Sequence, residues 1–148
     1  GAASGAVAGL VAITPASGFV GPISSIIIGA GAGIVCFGAV MVKSRLGYDD
    51  SLDAFGIHGI GGTWGALATG LFASKAINSA GADGLFFGNP GQLWIQFVAV
   101  LASWALAFFG TLVILKIVDW TMGLRVSDEE EQLGLDLSQH EERAYSRN

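Results

Sequence analysis

Three long stretches of this chain, residues 1–42, 54–74 and 84–115, contain no Asp, Glu, Lys or Arg. Only 13% of the 148 residues are charged, whereas about a quarter are charged in an ordinary soluble domain. A helix needs roughly 20 apolar residues to cross the hydrocarbon core of a bilayer. The distribution of charge therefore predicts a membrane protein and argues strongly against a small soluble enzyme.

The stretch over residues 1–42 must hold two helices, because a single helix of that length would reach about 63 Å, twice the thickness of a bilayer core. Two prolines and two glycines between Thr14 and Pro22 mark the turn between them. A loop rich in Gly, Asn and Ser precedes the last helix. The sequence predicts an all-α membrane protein with transmembrane helices at about 1–14, 23–42, 52–72 and 92–122, followed by a polar tail over 123–148.

Basic side chains predict how these helices are oriented. Lys43 and Arg45 follow the second helix, and Lys116 and Arg125 lie near the end of the fourth. The positive-inside rule places both regions in the cytoplasm, and the two assignments agree because two helices separate them. The tail is expected to be cytoplasmic, and its acidic run at 128–131 is interpreted as a solvated surface or as the start of a short helix.

Other classes of protein fit this sequence poorly. Nucleic-acid binding is not expected, because the net charge is −5 and no basic patch is visible. Cys36 is the only cysteine, so we expect no internal disulfide, no metal site and no cofactor. The glycine-rich run at 29–33 resembles a dinucleotide fingerprint only superficially, since no strand precedes it. The chain also begins without Met or a basic signal segment, and we expect it to be a piece of a longer protein.

Small and aromatic residues are expected to mediate helix packing. Glycines recur every fourth residue in the first two helices, at positions 1, 5 and 9 and at positions 29 and 33. Such spacing lets membrane helices approach closely. Three aromatic residues of the fourth helix are interpreted as packing residues or as part of an interfacial belt: Trp94, Trp104 and Trp120.

His58 is the most informative residue, because it is the only titratable side chain between positions 53 and 75. Ionisable groups at membrane depth are rare and usually face a bundle interior or a cavity. Ala54, Gly61 and Gly62 lie three or four residues away and share its helical face. This face of small residues leaves either a groove for another helix or room for a narrow pore.

Two interpretations of His58 follow. The imidazole could be buried and bonded to a neighbouring helix with no further role, or it could line a pore, where a ring that donates and accepts hydrogen bonds suits proton handling. The surrounding glycines favour the pore. Asp53 begins the same helix, and capping of backbone N–H groups is favoured over a role in transport. Asp49, Asp50 and Ser51 are further candidates for the cap.

Three segments form a recognisable pattern: residues 3–16, residues 49–59 with the motif Asp-x-Phe-Gly-x-His-Gly, and the tail over 123–145. The pattern covers essentially the whole chain and resembles the C-terminal portion of the ammonium transporter (Amt/Mep/Rh) family, helices eight to eleven plus the cytoplasmic tail. The resemblance implies an eleven-helix fold in the plasma membrane, the inner membrane in bacteria. It also implies a homotrimer with a separate pore in each subunit.

The resemblance further assigns roles around the motif. His58 matches the second of two pore histidines whose rings hydrogen-bond to each other, and Ala54 matches an apolar pore-lining position. The first histidine, an external aromatic cation site and a phenylalanine gate lie upstream of Gly1 in the family. The implied activity is ammonium transport. Deprotonation would let ammonia pass through an apolar pore, because carrying a bare cation through a low dielectric is very costly.

Two rival functions stay open at this point. An ammonium sensor built on the same scaffold would use the tail for signalling, although such sensors usually append a signalling domain. A different channel could use His58 as a proton relay, but the pattern in the tail argues against it. In none of these readings is the chain an enzyme.

The tail resembles a region that packs across neighbouring subunits and, in many bacterial members, contacts a PII-type regulatory protein. The matching residues are Gly134, Leu135, Asp136, His140 and Tyr145. Glu141 stands where the family often has glycine, so a left-handed backbone is expected to be difficult to form there. Ser138 falls where plant relatives carry a phosphorylated threonine.

Overall fold

The structure is a computed structural model that describes residues 1–143. The described residues divide into two compact units, Gly1–Trp104 and a second unit that begins at Ala105. Within the described residues every regular element is helical. The helices are α1 (Ala2–Ile13), α2 (Pro22–Leu46), α3 (Gly61–Phe72), α4 (Pro90–Met122), α5 (Asp128–Leu133) and α6 (Leu135–Ser138). A π-helical segment, Phe55–Ile60, leads directly into α3, and 3₁₀ turns lie at Thr14–Ala16 and Leu85–Phe87.

The predicted break between the first two helices is confirmed. The chain leaves α1 through the 3₁₀ turn Thr14–Ala16, passes a left-handed Gly18, and re-enters a helix at Pro22. Helix α2 runs about one turn further than predicted, because it ends only at Gly47, whose φ of 68° closes the helix with a left-handed residue.

Two helices are long and apolar enough to cross a bilayer, α2 with 25 residues and α4 with 33 residues. Helix α4 buries none of its residues within the described structure, and its apolar side chains face all directions, as is typical of membrane spans. The helices at the first and third predicted spans are shorter than α2 and α4. They are α1 with its 3₁₀ turn, and the π segment followed by α3. The four-span organisation of residues 1–122 stays a prediction.

Close backbone contact holds the first unit together. A Cβ atom added to Gly65 of α3 would overlap the backbone carbonyl of Ala12 in α1, so the two helices meet without a side chain between them. The core around this contact consists mostly of small residues. Its fully buried members are Ala12, Ala16, Ile28, Ala32 and Ala68.

Helix α2 packs against α3 through Trp64. The indole Nε1 donates a hydrogen bond to the carbonyl of Ile28 at 2.9 Å. The indole ring fills the space beside Gly31, where an added Cβ would overlap it. The glycines of the four-residue repeats, in contrast, do not face a neighbouring helix. A Cβ atom added to Gly5 or Gly29 would meet no atom within 4 Å. Among the described residues, the predicted glycine repeats therefore do not form the helix contacts; Gly31 and Gly65 do.

Replacing Gly65 with alanine is expected to destabilise the longer protein by about 1–3 kcal/mol, because the added methyl group overpacks a backbone contact. The matched control is Gly29→Ala, whose added methyl group points into open space in this unit. Thermal unfolding of both variants in detergent measures the difference. Equal melting temperatures would show that the Gly65–Ala12 contact does not limit stability.

Candidate functional site

The candidate site is built on the π-helical segment Phe55–Ile60, which places His58. Such wide turns are rare and occur frequently at functional sites. Gly56 and Ile57 are buried on the side facing α2, where an added Cβ on Gly56 would lie 3.3 Å from Val40 Cγ2. The imidazole of His58 points to the other side and is exposed in this unit. No hydrogen bond within residues 1–143 involves its ring.

Ala54 lies one turn before His58 and is likewise exposed. Its methyl group adds neither bulk nor a polar atom beside the imidazole. The structure leaves Ala54 and His58 exposed one turn apart, while the side chain of Ile57 packs into the protein. The prediction that Gly61 shares this face is wrong, because Gly61 is buried and an added Cβ would lie 2.9 Å from Cys36 Sγ. The exposed surface at Ala54 could accept a second ring or a small uncharged molecule next to His58.

Asp50 caps the start of the π segment. Its Oδ1 accepts a hydrogen bond from the backbone N–H of Ala54 at 2.8 Å, and its Oδ2 accepts one from Phe55 at 3.0 Å. A carboxylate in this position satisfies backbone donors that the helix leaves unpaired. Asp50 was one of the alternatives that the sequence left open, and the structure selects it over Ser51.

The expectation that Asp53 caps this helix is wrong. Its carboxylate instead pairs with the ammonium group of Lys43 at the end of α2, and its backbone is left-handed, with a φ of 55°. Lys43 Nζ also donates to the carbonyl of Asp50 at 2.8 Å. The ion pair therefore fixes the link between α2 and the π segment.

Side-chain donors hold the carbonyls of both neighbours of His58. The Cys36 thiol donates to the Ile57 carbonyl with an S···O distance of 3.8 Å. On the other side, Thr63 Oγ1 donates to the Gly59 carbonyl at 2.7 Å. Thr63 is not among the site residues that the sequence predicts, although its spacing of four residues from Gly59 indicates that the two share a helix face.

Trp104 of α4 completes the site. Its indole Nε1 donates to Thr63 Oγ1 at 2.8 Å, and its ring meets Phe55 edge-on with centroids 5.9 Å apart. Phe55 in turn covers Gly59, where an added Cβ would lie 3.0 Å from the phenyl ring. The prediction that Trp104 is a packing residue accounts for its ring contact with Phe55 but not for its hydrogen bond to Thr63.

The predicted tail residues lie in the second unit. Ser127 and Glu130 form a capping box at the start of α5, which confirms that the acidic run can begin a short helix. Gly134 has a φ of 98° and separates α5 from α6, which begins at Leu135.

Beyond α6 the tail turns back on itself. Asp136 accepts a hydrogen bond from the backbone of Glu142 at 2.8 Å. Glu141 adopts a φ of 55° without being glycine, so the expected difficulty does not prevent a left-handed residue there. His140 is exposed, and the prediction for Tyr145 lies outside the described residues.

In the part of the chain that the structure describes, no group of three His, Cys, Asp or Glu side chains is close enough together to hold a metal ion. The polar side chains of the site instead form hydrogen bonds with backbone groups on either side of His58. An all-α chain with two apolar helices of bilayer length is consistent with a membrane protein.

The family model described as Ammonium Transporter Family matches residues 1–145. The chain belongs to the ammonium transporter family. It is 60% identical to an ammonium transporter of Bacillus subtilis over 98% of this chain and 36% of the relative. It is 53% identical to the ammonium transporter Amt1 of Archaeoglobus fulgidus over 99% of this chain and 37% of the relative.

Solved structures agree with this assignment. The crystal structure of Saccharomyces cerevisiae Mep2 matches with a TM-score of 0.80 and 37% identity, over 92% of this chain and 32% of the Mep2 chain. The Candida albicans Mep2 structure matches with a TM-score of 0.78 and 38% identity, over 92% and 31% of the respective chains. This chain spans about a third of the length of the relatives that it matches.

Removing the Asp50 carboxylate tests the capping assignment. Asp50→Ala leaves two backbone N–H groups unpaired and is expected to cost about 1–2 kcal/mol, with faster hydrogen exchange at the amides of Ala54 and Phe55. Ser51→Ala, the control, removes a cap candidate that the structure leaves unused. Exchange measured by mass spectrometry on the longer protein compares the two variants, and equal protection in both would contradict the assignment.

Proposed function

We propose that the longer protein to which this chain belongs conducts ammonium or ammonia across the membrane, and that His58 belongs to the conduction path. The observation that carries this proposal is the position of the imidazole: it is exposed, it lies next to Ala54, and no described residue binds it. Membership of the ammonium transporter family supports the choice of substrate.

His58 is suited to a substrate that loses a proton on the way. A bare cation at low dielectric is very costly, whereas neutral ammonia is not charged and crosses an apolar passage readily. A neutral imidazole can accept a hydrogen bond with one nitrogen and donate one with the other. In the proposed path, one nitrogen of His58 faces the substrate and a second histidine from the upstream part of the longer protein binds the other nitrogen, so that the pair accepts the proton of ammonium or passes it on.

The proposal is tested by measuring ammonium-dependent flux in liposomes that contain the full-length protein. His58→Ala is expected to lower the flux by about a hundredfold or more, the scale of positioned proton transfer. Lys75→Gln, in the loop before α4, is the control for nonspecific loss and is expected to keep the flux of the unaltered protein.

Undiminished flux in His58→Ala would remove the assigned role. Binding of ammonium without any flux in the unaltered protein would favour the sensor over the transporter. Ammonium-independent proton flux that His58→Ala abolishes would instead favour a different channel with His58 as a proton relay.

The assembly and the partner of the tail are further parts of this proposal. The working protein is proposed to be a homotrimer in the plasma membrane, with the 43–51 link and the C-terminus in the cytoplasm. A PII-type regulatory protein is proposed to bind the tail. The support is the resemblance of Gly134, Leu135 and Asp136 to the family's tail, together with the ordered turn that these residues form between α5 and α6.

Gly134→Val is expected to weaken binding of a PII-type protein about tenfold or more, because a side chain with a φ of 98° is strained and its Cβ would lie 2.6 Å from Asp136 Oδ1. Gln139→Ala, at the end of α6, is the control. Pull-down and surface plasmon resonance with the full-length protein measure the affinity. If the unaltered protein does not bind the PII-type protein with any nucleotide added, or without one, the proposed partner is refuted.

A further inference from the structure

A closed set of contacts surrounds the turn that displays His58. Phe55, Gly59 and Thr63 follow one another at intervals of four residues, so they lie along one side of the helix. Trp104 lies along the same side and touches both ends of the row, the Phe55 ring at 5.9 Å and the Thr63 hydroxyl at 2.8 Å. We call Phe55, Gly59, Thr63 and Trp104 the tryptophan bracket.

The bracket acts on the backbone next to the imidazole. Thr63 Oγ1 uses its proton on the carbonyl of Gly59, the residue directly after His58. The same oxygen accepts the indole N–H of Trp104. Because a hydroxyl that accepts a hydrogen bond becomes a better donor, the two bonds strengthen each other.

A π turn needs such support, since it departs from the hydrogen-bond spacing of the flanking α-helix. Gly59 adds no side chain of its own to hold the turn, and the Phe55 ring occupies the space where its Cβ would lie. Trp104 is 44% exposed, so burial alone does not hold its ring in place. The indole bond to Thr63 fixes the ring, and the ring fixes Phe55 over Gly59.

We propose that Thr63 and Trp104 are positioning residues for His58, acting through the Gly59 carbonyl to hold the π turn in the form that presents the imidazole to the conduction path. Neither side chain touches the substrate in this assignment. The proposal deepens the function proposed above and rests on it for its consequence in transport.

The test uses the full-length protein in liposomes, four single variants, and the double variant Thr63→Val/Trp104→Phe. Thr63→Val removes the hydroxyl at nearly constant volume, and Thr63→Ser restores it. Trp104→Phe removes the indole N–H and keeps an aromatic ring. Trp94→Phe is the matched control on the same helix, where Trp94 contacts Phe97 and is 65% exposed.

Thr63→Val and Trp104→Phe are each expected to lower the maximal rate of ammonium flux about tenfold, on the scale of one hydrogen bond, with the half-saturating concentration unchanged. The double variant is expected to lose no more than Thr63→Val alone, because Thr63→Val already removes both the bond to Gly59 and the bond to Trp104. Thr63→Ser and Trp94→Phe are expected to keep the normal rate. Additive losses, or a loss in Trp94→Phe as large as that in Trp104→Phe, would overturn the proposal.

Hydrogen exchange separates this proposal from the function on which it rests. Amides of the Phe55–Ile60 segment are expected to exchange faster in Thr63→Val and to recover in Thr63→Ser. Unchanged exchange in Thr63→Val overturns the bracket even when the unaltered protein conducts ammonium. If the unaltered protein shows no ammonium flux, the proposed function fails and the exchange comparison alone decides the bracket. Should Thr63→Val not assemble, Trp104→Phe and Thr63→Ser provide the same comparison.

Discussion

Backbone polar groups in an apolar environment must find hydrogen-bond partners within the protein, and this constraint governs the unit around His58. The Phe55–Ile60 segment departs from regular α-helical spacing, and side chains supply additional bonds at its start and on both sides of the histidine. Asp50 accepts from the first N–H groups. Cys36 and Thr63 donate to the carbonyls that flank His58. The wide turn can therefore form in an apolar helix without a hydrogen bond from the imidazole of His58.

Small residues make these contacts possible. Gly65 lets α1 and α3 touch at the backbone, and Gly61 leaves room for the Cys36 sulfur, which would lie 2.9 Å from an added Cβ. Large apolar side chains on α4 remain exposed in this unit. The chain spans only about a third of the length of its relatives, and we expect other helices of the longer protein to cover these surfaces.

Ion pairs and side-chain caps, not buried apolar side chains, hold the link after α2 and the tail in place. Lys43 and Asp53 connect the end of α2 to the start of the π segment. In the tail, Ser127 and Glu130 cap α5 reciprocally, and Arg125 forms a salt bridge with Glu131 at 2.9 Å. The tail salt bridge is largely exposed and contributes little to stability by itself. The capping box is worth more, because it satisfies backbone donors that have no other partner.

The sequence alone determined the helical class, the break near Pro15 and the family, whereas it left open whether the acidic run of the tail begins a helix. Each of these depends on patterns within a few residues, or on a local motif such as the one around His58. Tertiary structure decided what depends on residues far apart in the chain. Asp53 forms an ion pair with Lys43. Trp104 donates a hydrogen bond to Thr63, 41 positions away in the chain. Gly65, not the glycine repeats, makes the close contact between helices. Spacing within one helix shows which residues share a face, but only packing determines which face meets a neighbour.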